Sequence, residues 1–384
     1  MRKGEDPAVK GGVFHGEKGE FFHVYFLLSM YYTYGMSSVY GVGDFFALDI
    51  GTNALRLVQL SGNARSGWTL QRFAYVPVER ATVQDSSEAG KRKLGEVIIK
   101  AVQQAGIKTK NVAVGMPASK TYTAIIEVPN QDPKGIEKTV RYELDQYIPM
   151  AVDDAKVDFA VLGPSPNDPT KAEVLLSSVA VAYAEDRMET LESYGLNVVA
   201  QEPDQIAMAR SLTPPGVKDG RMIIDYGEMA TDLVVAYGGA PRLVRTIPGG
   251  LSALTKTTAN FLGVKEDQAR QFILKFGLAQ DKLDGQVFKA LDSVLENFAS
   301  ELSKSARFFQ TKYPNLKLGG IVLSGFAGMI PFMSEYIEAK TSVSTMQGNP
   351  WQLVKVTNEQ KQALSQVASE FAVVIGLAER TNDR

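Results

Sequence analysis

The stretch "FFALDIGTNALRLVQL", residues 45–60, decides the reading of this chain. An apolar run ends in Asp49, turns over Gly51-Thr52-Asn53, and resumes through Leu55, Leu57, Val58 and Leu60. Two apolar runs around a short polar turn predict a tight hairpin. Asn-Gly would suffice for a plain hairpin, whereas Asp-x-Gly-Thr puts chemistry at the tip. Gly51 permits backbone angles and a close approach denied to other residues, so turn N–H groups can converge on an anion. Thr52 and Asn53 add side-chain donors. Asp49 is a hard oxygen ligand beside that anion, where a magnesium ion held by phosphates and water would sit. The plainer alternative is an ordinary glycine hairpin whose Asp accepts turn hydrogen bonds.

Composition removes several classes of function. The chain has 384 residues, 45% of them hydrophobic, enough for two domains with sizeable cores. A net charge of −2 provides no basic field for nucleic acid. The absence of cysteine excludes disulfides, thiolate zinc sites and cysteine nucleophiles, and suits a reducing cytosol. The only histidines, His15 and His23, lie in an N-terminal leader, residues 1–44. The folded body therefore has no imidazole for a Ser-His-Asp triad or a histidine metal site. Within the leader, "FFHVYFLLSMYY" at 21–32 is too short for the roughly 20 residues of a spanning helix. It follows Glu17, Lys18 and Glu20 rather than a basic region, so Met36 is read as the true start.

The hairpin pattern returns at 221–239, "RMIIDYGEMATDLVVAYGG", with Asp225, Gly227 and Thr231 in the turn, 176 residues from Asp49 to Asp225. A repeat of that length suggests duplicated domains whose two loops clamp one polyphosphate. Between the hairpins, Leu94, Val97, Ile98, Ala101 and Val102 fall at helical spacing. Asp132-Pro133 opens a helix striped by Ile136, Val140, Leu144 and Ile148. "NVVAQEPDQIAMARSL" at 197–212 reads as strand, Glu202-Pro203 turn and helix. Gly249-Gly250 stands at a helix start, where N–H groups favour an anion. A long helix is predicted over 287–312, followed by a buried strand and a turn at Gly325 and Gly328.

In this order, these pieces resemble the actin and heat-shock-chaperone ATPase superfamily from residue 45 to the end. Two segments, "YELDQYIPMAVDDAKVDFAVL" at 142–162 and "PRLVRTIPGGLSALTKTTANFLGVKEDQARQFILKFG" at 241–277, are similar to the PilM family of type IV pilus assembly. The resemblance implies an α/β actin-like ATPase fold: two duplicated domains with mixed five-stranded sheets and flanking helices, and a small α/β insertion in the first. The first domain is expected at 45–213 with its insertion at about 123–194. The second is expected at 219–384 with a helical insertion at about 258–314. It implies ATP with Mg2+ as cofactors. Asp49, Gly51, Thr52 and Asn53 match the first phosphate loop, and Asp225, Gly227 and Thr231 the second, with Asp49 and Asp225 on the metal side. Glu202 matches a polar residue near the metal's waters, and Gly249 and Gly250 the sugar-phosphate segment. Glu301 and Lys304 match the helix edge by ribose and base, although charges on a solvated helix face are also common. Ser324, Gly325 and Gly328 match the adenosine loop.

Glu228 and Phe326 depart from the family pattern, the first by setting a negative charge near phosphates. The resemblance further implies a cytoplasmic scaffold at the inner face of the membrane. It would dock the N-terminal peptide of a PilN-like inner-membrane protein, with pilus assembly ATPases as further candidate partners. Tyr122, Ile125, Tyr147 and Met150 are the expected peptide contacts, although Ile125 also fits a simple core role. Two alternatives compete: a phosphatase of the exopolyphosphatase or guanosine pentaphosphate type, suggested by "DIGTNALRLV", and an FtsA-like division protein. Hydrolysis is expected to be slow or absent, because the chain offers no clear base beyond Asp49, Asp225 and Glu228.

Overall fold

The computed structural model describes residues 44–64, 66–213 and 216–380. The leader, its histidines and Met36 lie outside these residues.

The opening hairpin forms as predicted: β1 (Phe46–Ile50) pairs antiparallel with β2 (Ala54–Asn63), which turns into β3 (Gly67–Pro77). Two helices follow, α1 (Arg80–Gln84) and α2 (Glu88–Gln104), the second capped by Ser87, whose Oγ accepts from the Gly90 N–H at 3.1 Å. Strand β4 (Asn111–Met116) then joins β1 in parallel. Its near-continuous apolar run, Val112 to Met116, suits a strand covered on both faces.

The chain next leaves this sheet to build the insertion. Strand β5 (Thr121–Pro129), helices α3 (Pro133–Tyr142) and α4 (Leu144–Tyr147), and strands β6 (Ala155–Pro164) and β7 (Lys171–Ala180) form an antiparallel sheet in the order β5-β7-β6. The stripe Ile136, Val140, Leu144, Ile148 is broken at Glu143 (φ −105°, ψ 8°) into two helices, yet all four side chains share one buried cluster. Helix α5 (Val181–Ser193), strand β8 (Asn197–Pro203) and helix α6 (Asp204–Leu212) return the chain to the first sheet.

The second sheet opens with β9 (Gly220–Tyr226), β10 (Ala230–Tyr237) and β11 (Ala240–Pro248), followed by α7 (Leu251–Leu262), α8 (Glu266–Phe276) and α9 (Gln286–Lys312). Strand β12 (Leu318–Gly325), helix α10 (Met333–Thr341) and β13 (Thr345–Gln347) complete a five-stranded sheet, β11-β10-β9-β12-β13. Helix α9 buries the expected stripe, Val287, Leu291, Leu295, Phe298, Leu302 and Phe309, against it.

The end of the chain departs from the expected domain limits. Strand β14 (Val354–Lys355) pairs with β3, making the first sheet six-stranded, β14-β3-β2-β1-β4-β8. After α11 (Asn358–Leu364), helix α12 (Ala372–Ala378) packs against α6 between the two sheets. Its all-apolar sequence explains why: Val374 and Ile375 share one core with Ala47 and Val58 of the first sheet and Ile223, Val234 and Val322 of the second. Residues 354–378, expected in the second domain, thus bind the two sheets together. Each fully buried aliphatic side chain there contributes about 1.5–3 kcal/mol.

The insertion is tied to the second sheet as well. Arg242 on β11 donates to Glu173 on β7, Tyr313 Oη donates to the same carboxylate at 2.6 Å, and Asn167 Nδ2 donates to the Lys312 carbonyl at 2.6 Å. Leu162, Leu175 and Ile125 cover Ala240 beside them.

Candidate functional site

Both hairpins end at one cleft between the sheets. In the first, Gly51 N–H donates to the Ala54 carbonyl at 3.1 Å and Val78 N–H to the Asn53 carbonyl at 3.0 Å, closing the turn. Gly51 does not need a left-handed backbone, contrary to the reason given for it from sequence; it needs space. A Cβ there would lie 2.6 Å from Arg56 Nη1 and 3.1 Å from the Ala54 carbonyl oxygen. Arg56 itself was missed by the motif reading. It stands directly across the hairpin from Asp49, and its Nη1 donates to Asp49 Oδ2 at 3.0 Å. Its other arm donates to Glu370, which also accepts from Tyr75 Oη at 3.2 Å. Hairpin register was the available signal, because a turn at 51–53 sets residues 49 and 56 opposite one another. Burial raises the Asp49 carboxyl above its ordinary value, and Arg56 opposes that shift.

In the second hairpin, Gly227 N–H donates to the Ala230 carbonyl at 3.0 Å. Thr231 Oγ1 donates to the Gly249 carbonyl at 3.0 Å, so this hydroxyl braces the loop rather than presenting a donor to a ligand. Leu251 and Ser252 N–H donate to the carbonyls of Gly227 and Glu228 at 3.0 and 2.9 Å. Those first-turn groups of α7, read from sequence as anion donors behind Gly249-Gly250, are thus already taken by the hairpin. Asp225 is raised to about 7, by burial first and by Asp232 next. Asp232 faces it across the strands and accepts from Gln205 Nε2 at 3.0 Å and Thr246 Oγ1 at 2.7 Å. Gly325, with φ +62°, lies where a Cβ would meet Asp225 Oδ1 at 2.4 Å, so both conformation and space require glycine.

The remaining expected contacts divide. Glu202 is fully buried with its carboxylate on Arg210 and Arg380, the latter at 2.7 Å, so its two charged neighbours hold it as an internal ion triad. The carboxylate facing the hairpins is Asp204, two residues on. Its Oδ1 is buried without a donor, and burial, then Asp49, Asp232 and Asp225, hold the group well above its ordinary value. Nothing in the Glu-Pro signal distinguished the two, although Asp204 opens α6. Glu301 accepts from Lys304 Nζ at 2.7 Å and from Arg245 at 3.4 Å, beside β11 rather than at the hairpins. Ser324 Oγ donates to the Ser369 carbonyl at 2.8 Å, and Gly328 closes against the same residue.

The two departures from the family pattern meet. Glu228 accepts both guanidinium arms of Arg270 at 3.0 Å each, and that guanidinium lies 5.1 Å above the Phe326 ring. A cavity of about 380 Å³ opens here between the hairpins, lined by Thr52, Asn53, Tyr75, Arg80, Glu228, Met229, Ser252 and Arg270. A larger depression of about 500 Å³, lined by Lys91, Arg92 and Asp186 on α2 and α5, carries its own salt bridge and lies apart from the hairpins.

The expected peptide residues are not all on one surface. Tyr147 and Met150 pack beside Ala124 on the face of β5 covered by α3 and α4, and Tyr147 Oη donates to Glu143 at 2.7 Å. Ile125 points to the opposite face, against Leu175, Ile206 and Ala240. Strand alternation separates them: Tyr122 shares parity with Ala124 and Ile125 does not.

With this geometry in place, comparison with known proteins adds a family. Residues 47–382 match the family described as "Type IV pilus assembly protein PilM". The chain belongs to this family. Among solved structures it is similar to a "PilM-PilN type IV pilus biogenesis complex", with 24% identity over 88% of this chain and 98% of that one and a TM-score of 0.74. It is also similar to the ethanolamine utilization protein EutJ from Carboxydothermus hydrogenoformans, at 14% identity, 90% and 93% coverage and a TM-score of 0.52. A MamK double helical filament matches at 11% identity, 89% and 99% coverage and a TM-score of 0.52. The fold is α/β and actin-like.

The donors of the cleft suit a phosphate-bearing ligand, with Thr52 and Asn53 on one side and Ser252 and Arg270 on the other. Among the described residues, no three His, Cys, Asp or Glu side chains could hold a metal ion by themselves. Burial and the neighbouring Asp49 and Asp232 nonetheless raise both Asp204 and Asp225, with Arg56 as the opposing charge. A cation brought in on phosphates and water would relieve that repulsion without direct cage ligands.

Proposed function

We propose that this member of the PilM family is a nucleotide-binding scaffold of type IV pilus assembly that binds ATP with Mg2+ and docks the cytoplasmic N-terminal peptide of a PilN-like inner-membrane protein. The observation that carries the nucleotide half is the pair of Asp-x-Gly hairpins closing on one cavity, with Thr52 and Asn53 on one side and Ser252 and Arg270 on the other. Asp49 and Asp225 stand on the metal side, as outer ligands through water. Gly227 and Gly250 serve by keeping the loops thin, Gly249 by its positive φ of +107°, and Ser324, Gly325 and Gly328 form the adenosine side. Turnover is slow or absent: Asp49 is committed to Arg56, and burial keeps Asp225 protonated up to about pH 7, so neither hairpin carboxylate stands ready as a base for water.

Membership of the family supports the partner half, together with the likeness to a PilM-PilN complex. Strand β5 is the outer strand of its three-stranded sheet, and a peptide adding there would gain main-chain hydrogen bonds while Tyr122, Tyr147 and Met150 supply shallow side-chain contacts. No helix among the described residues is long and apolar enough to cross a membrane. Attachment to the inner face is through the partner. Calorimetric titration of the whole chain with ATP and Mg2+, followed by titration with a synthetic PilN N-terminal peptide, tests both halves. Saturable binding of each is expected; no heat with ATP overturns the first half, and no peptide binding overturns the second.

A further inference from the structure

We propose that Glu228 is a built-in stand-in for a ligand phosphate: it holds Arg270 at the cavity mouth, and a nucleotide phosphate takes the guanidinium over on binding. The inference rests on the nucleotide-binding reading above and deepens it.

A glutamate at the tip of a phosphate hairpin should repel the ligand. Its actual geometry removes that objection. Both carboxylate oxygens accept from Arg270, at 3.0 Å each, which is the two-pronged arrangement a guanidinium also offers to phosphate. The Phe326 ring beneath, 5.1 Å away, fixes the guanidinium plane. Phe326 and Glu228 therefore act on the same side chain, one holding its orientation and the other its charge.

The pair is placed to change partners. Its side chains are 33% and 15% exposed, so it lies open to the cavity rather than sealed in a core, and an ion pair so placed is modest in strength. Arg80 stands on the far side of the same cavity, its Nη1 3.2 Å from Met229 Sδ. Glu228 is the one carboxylate among the lining residues, with two guanidiniums, three hydroxyls and an amide around it. The backbone is already set: the Gly227 and Glu228 carbonyls are held by the first N–H groups of α7, which leads directly into α8 and Arg270. Exchange therefore needs only a side-chain rotation within one rigid piece.

Glu228→Gln keeps the volume and removes the competing charge. In calorimetric titration it should bind ATP with Mg2+ about tenfold more tightly than the wild type, the equivalent of about 1.4 kcal/mol. Adenosine, which has no phosphate, should show no gain. Arg270→Ala should bind ATP more weakly, and adding Glu228→Gln to it should restore nothing. Melting curves identify any variant that fails to fold, and Glu228→Ala, which also removes the charge, then serves as the second variant and should show the same gain for ATP and none for adenosine. Glu228→Gln binding no more tightly while the wild type binds, or an equal gain for adenosine, overturns the proposal. No ATP binding by wild type or Glu228→Gln overturns the nucleotide reading itself.

Discussion

Glu202 has its carboxylate enclosed by Arg210 and Arg380, and none of its side chain reaches solvent. Replacing it by Gln would leave two buried guanidiniums short of a counter-charge, a loss of about 3–5 kcal/mol. Urea unfolding should show that loss; an unchanged midpoint with weakened ATP binding would instead return Glu202 to the cleft. Asp49→Ala has the opposite profile, because Arg56 keeps Glu370 as partner while the cation loses a water-bridged carboxylate. ATP affinity in Mg2+ should fall by at least about tenfold with a smaller change in stability, since charge-assisted contacts are the strong ones. Equal ATP affinity in the two proteins would remove Asp49 from the site. Asp225 sets a pH dependence. Folded, it keeps its proton up to about pH 7; unfolded, it loses it near 3.8. The unfolded chain therefore binds fewer protons across that window, and this group's contribution to stability falls as pH rises through it, levelling off above. Asp225→Asn should be relatively more stabilising at about pH 7 than at about pH 4.5 in denaturant titrations, and a gap independent of pH would show that the shift is absent. At this scale the motif reading found the hairpin carboxylates and missed Arg56 and Asp204, because cross-strand and inter-element partners are set by register and packing rather than by spacing in a motif.

Strands and helices were legible wherever one periodicity governed them. The long helix formed within a residue of its predicted limits and both hairpins turned where expected, since each buries a single stripe or face. The peptide contacts failed at Ile125 for a related reason. Strand β5 has apolar residues on both faces, one covered by α3 and α4 and the other by Ala240 and Ile206, so composition did not reveal which face each residue served. A charge at Ile125 would consequently disturb the seam with β11 rather than a peptide. The informative change is Tyr122→Glu, which lies on the parity of Ala124. It should weaken capture of a PilN N-terminal peptide by about tenfold or more while melting like the wild type, as expected where a rim contact is lost and the core is spared. Undiminished capture would move the peptide away from β5.

Taken whole, the molecule is less separable than its duplicated hairpins suggest. The return of residues 354–378 to the first sheet escaped the sequence because an apolar terminal helix fits either core equally well; only the three-dimensional path chooses. With Phe371, Val374 and Ile375 sharing a core with both sheets, unfolding should be one cooperative event. Calorimetry should record a single heat-absorption peak, and two peaks at separate temperatures would mean that the sheets fold independently.

The seam between the insertion and β11 has a mechanical meaning. Glu173 accepts from Arg242 on the one side and from Tyr313 on the other, in a setting where neither charge can be hydrated. Separating them costs far more than sliding a wet surface, so any gaping of the two lobes must pivot about this point. It is a fulcrum: the insertion is joined by covalent chain to one lobe and bolted to the other. Any rocking between the hairpins would therefore tilt the insertion, on which Tyr142 stands 86% exposed at the end of α3. What a partner clasping the insertion would sense is the angle at which it is presented.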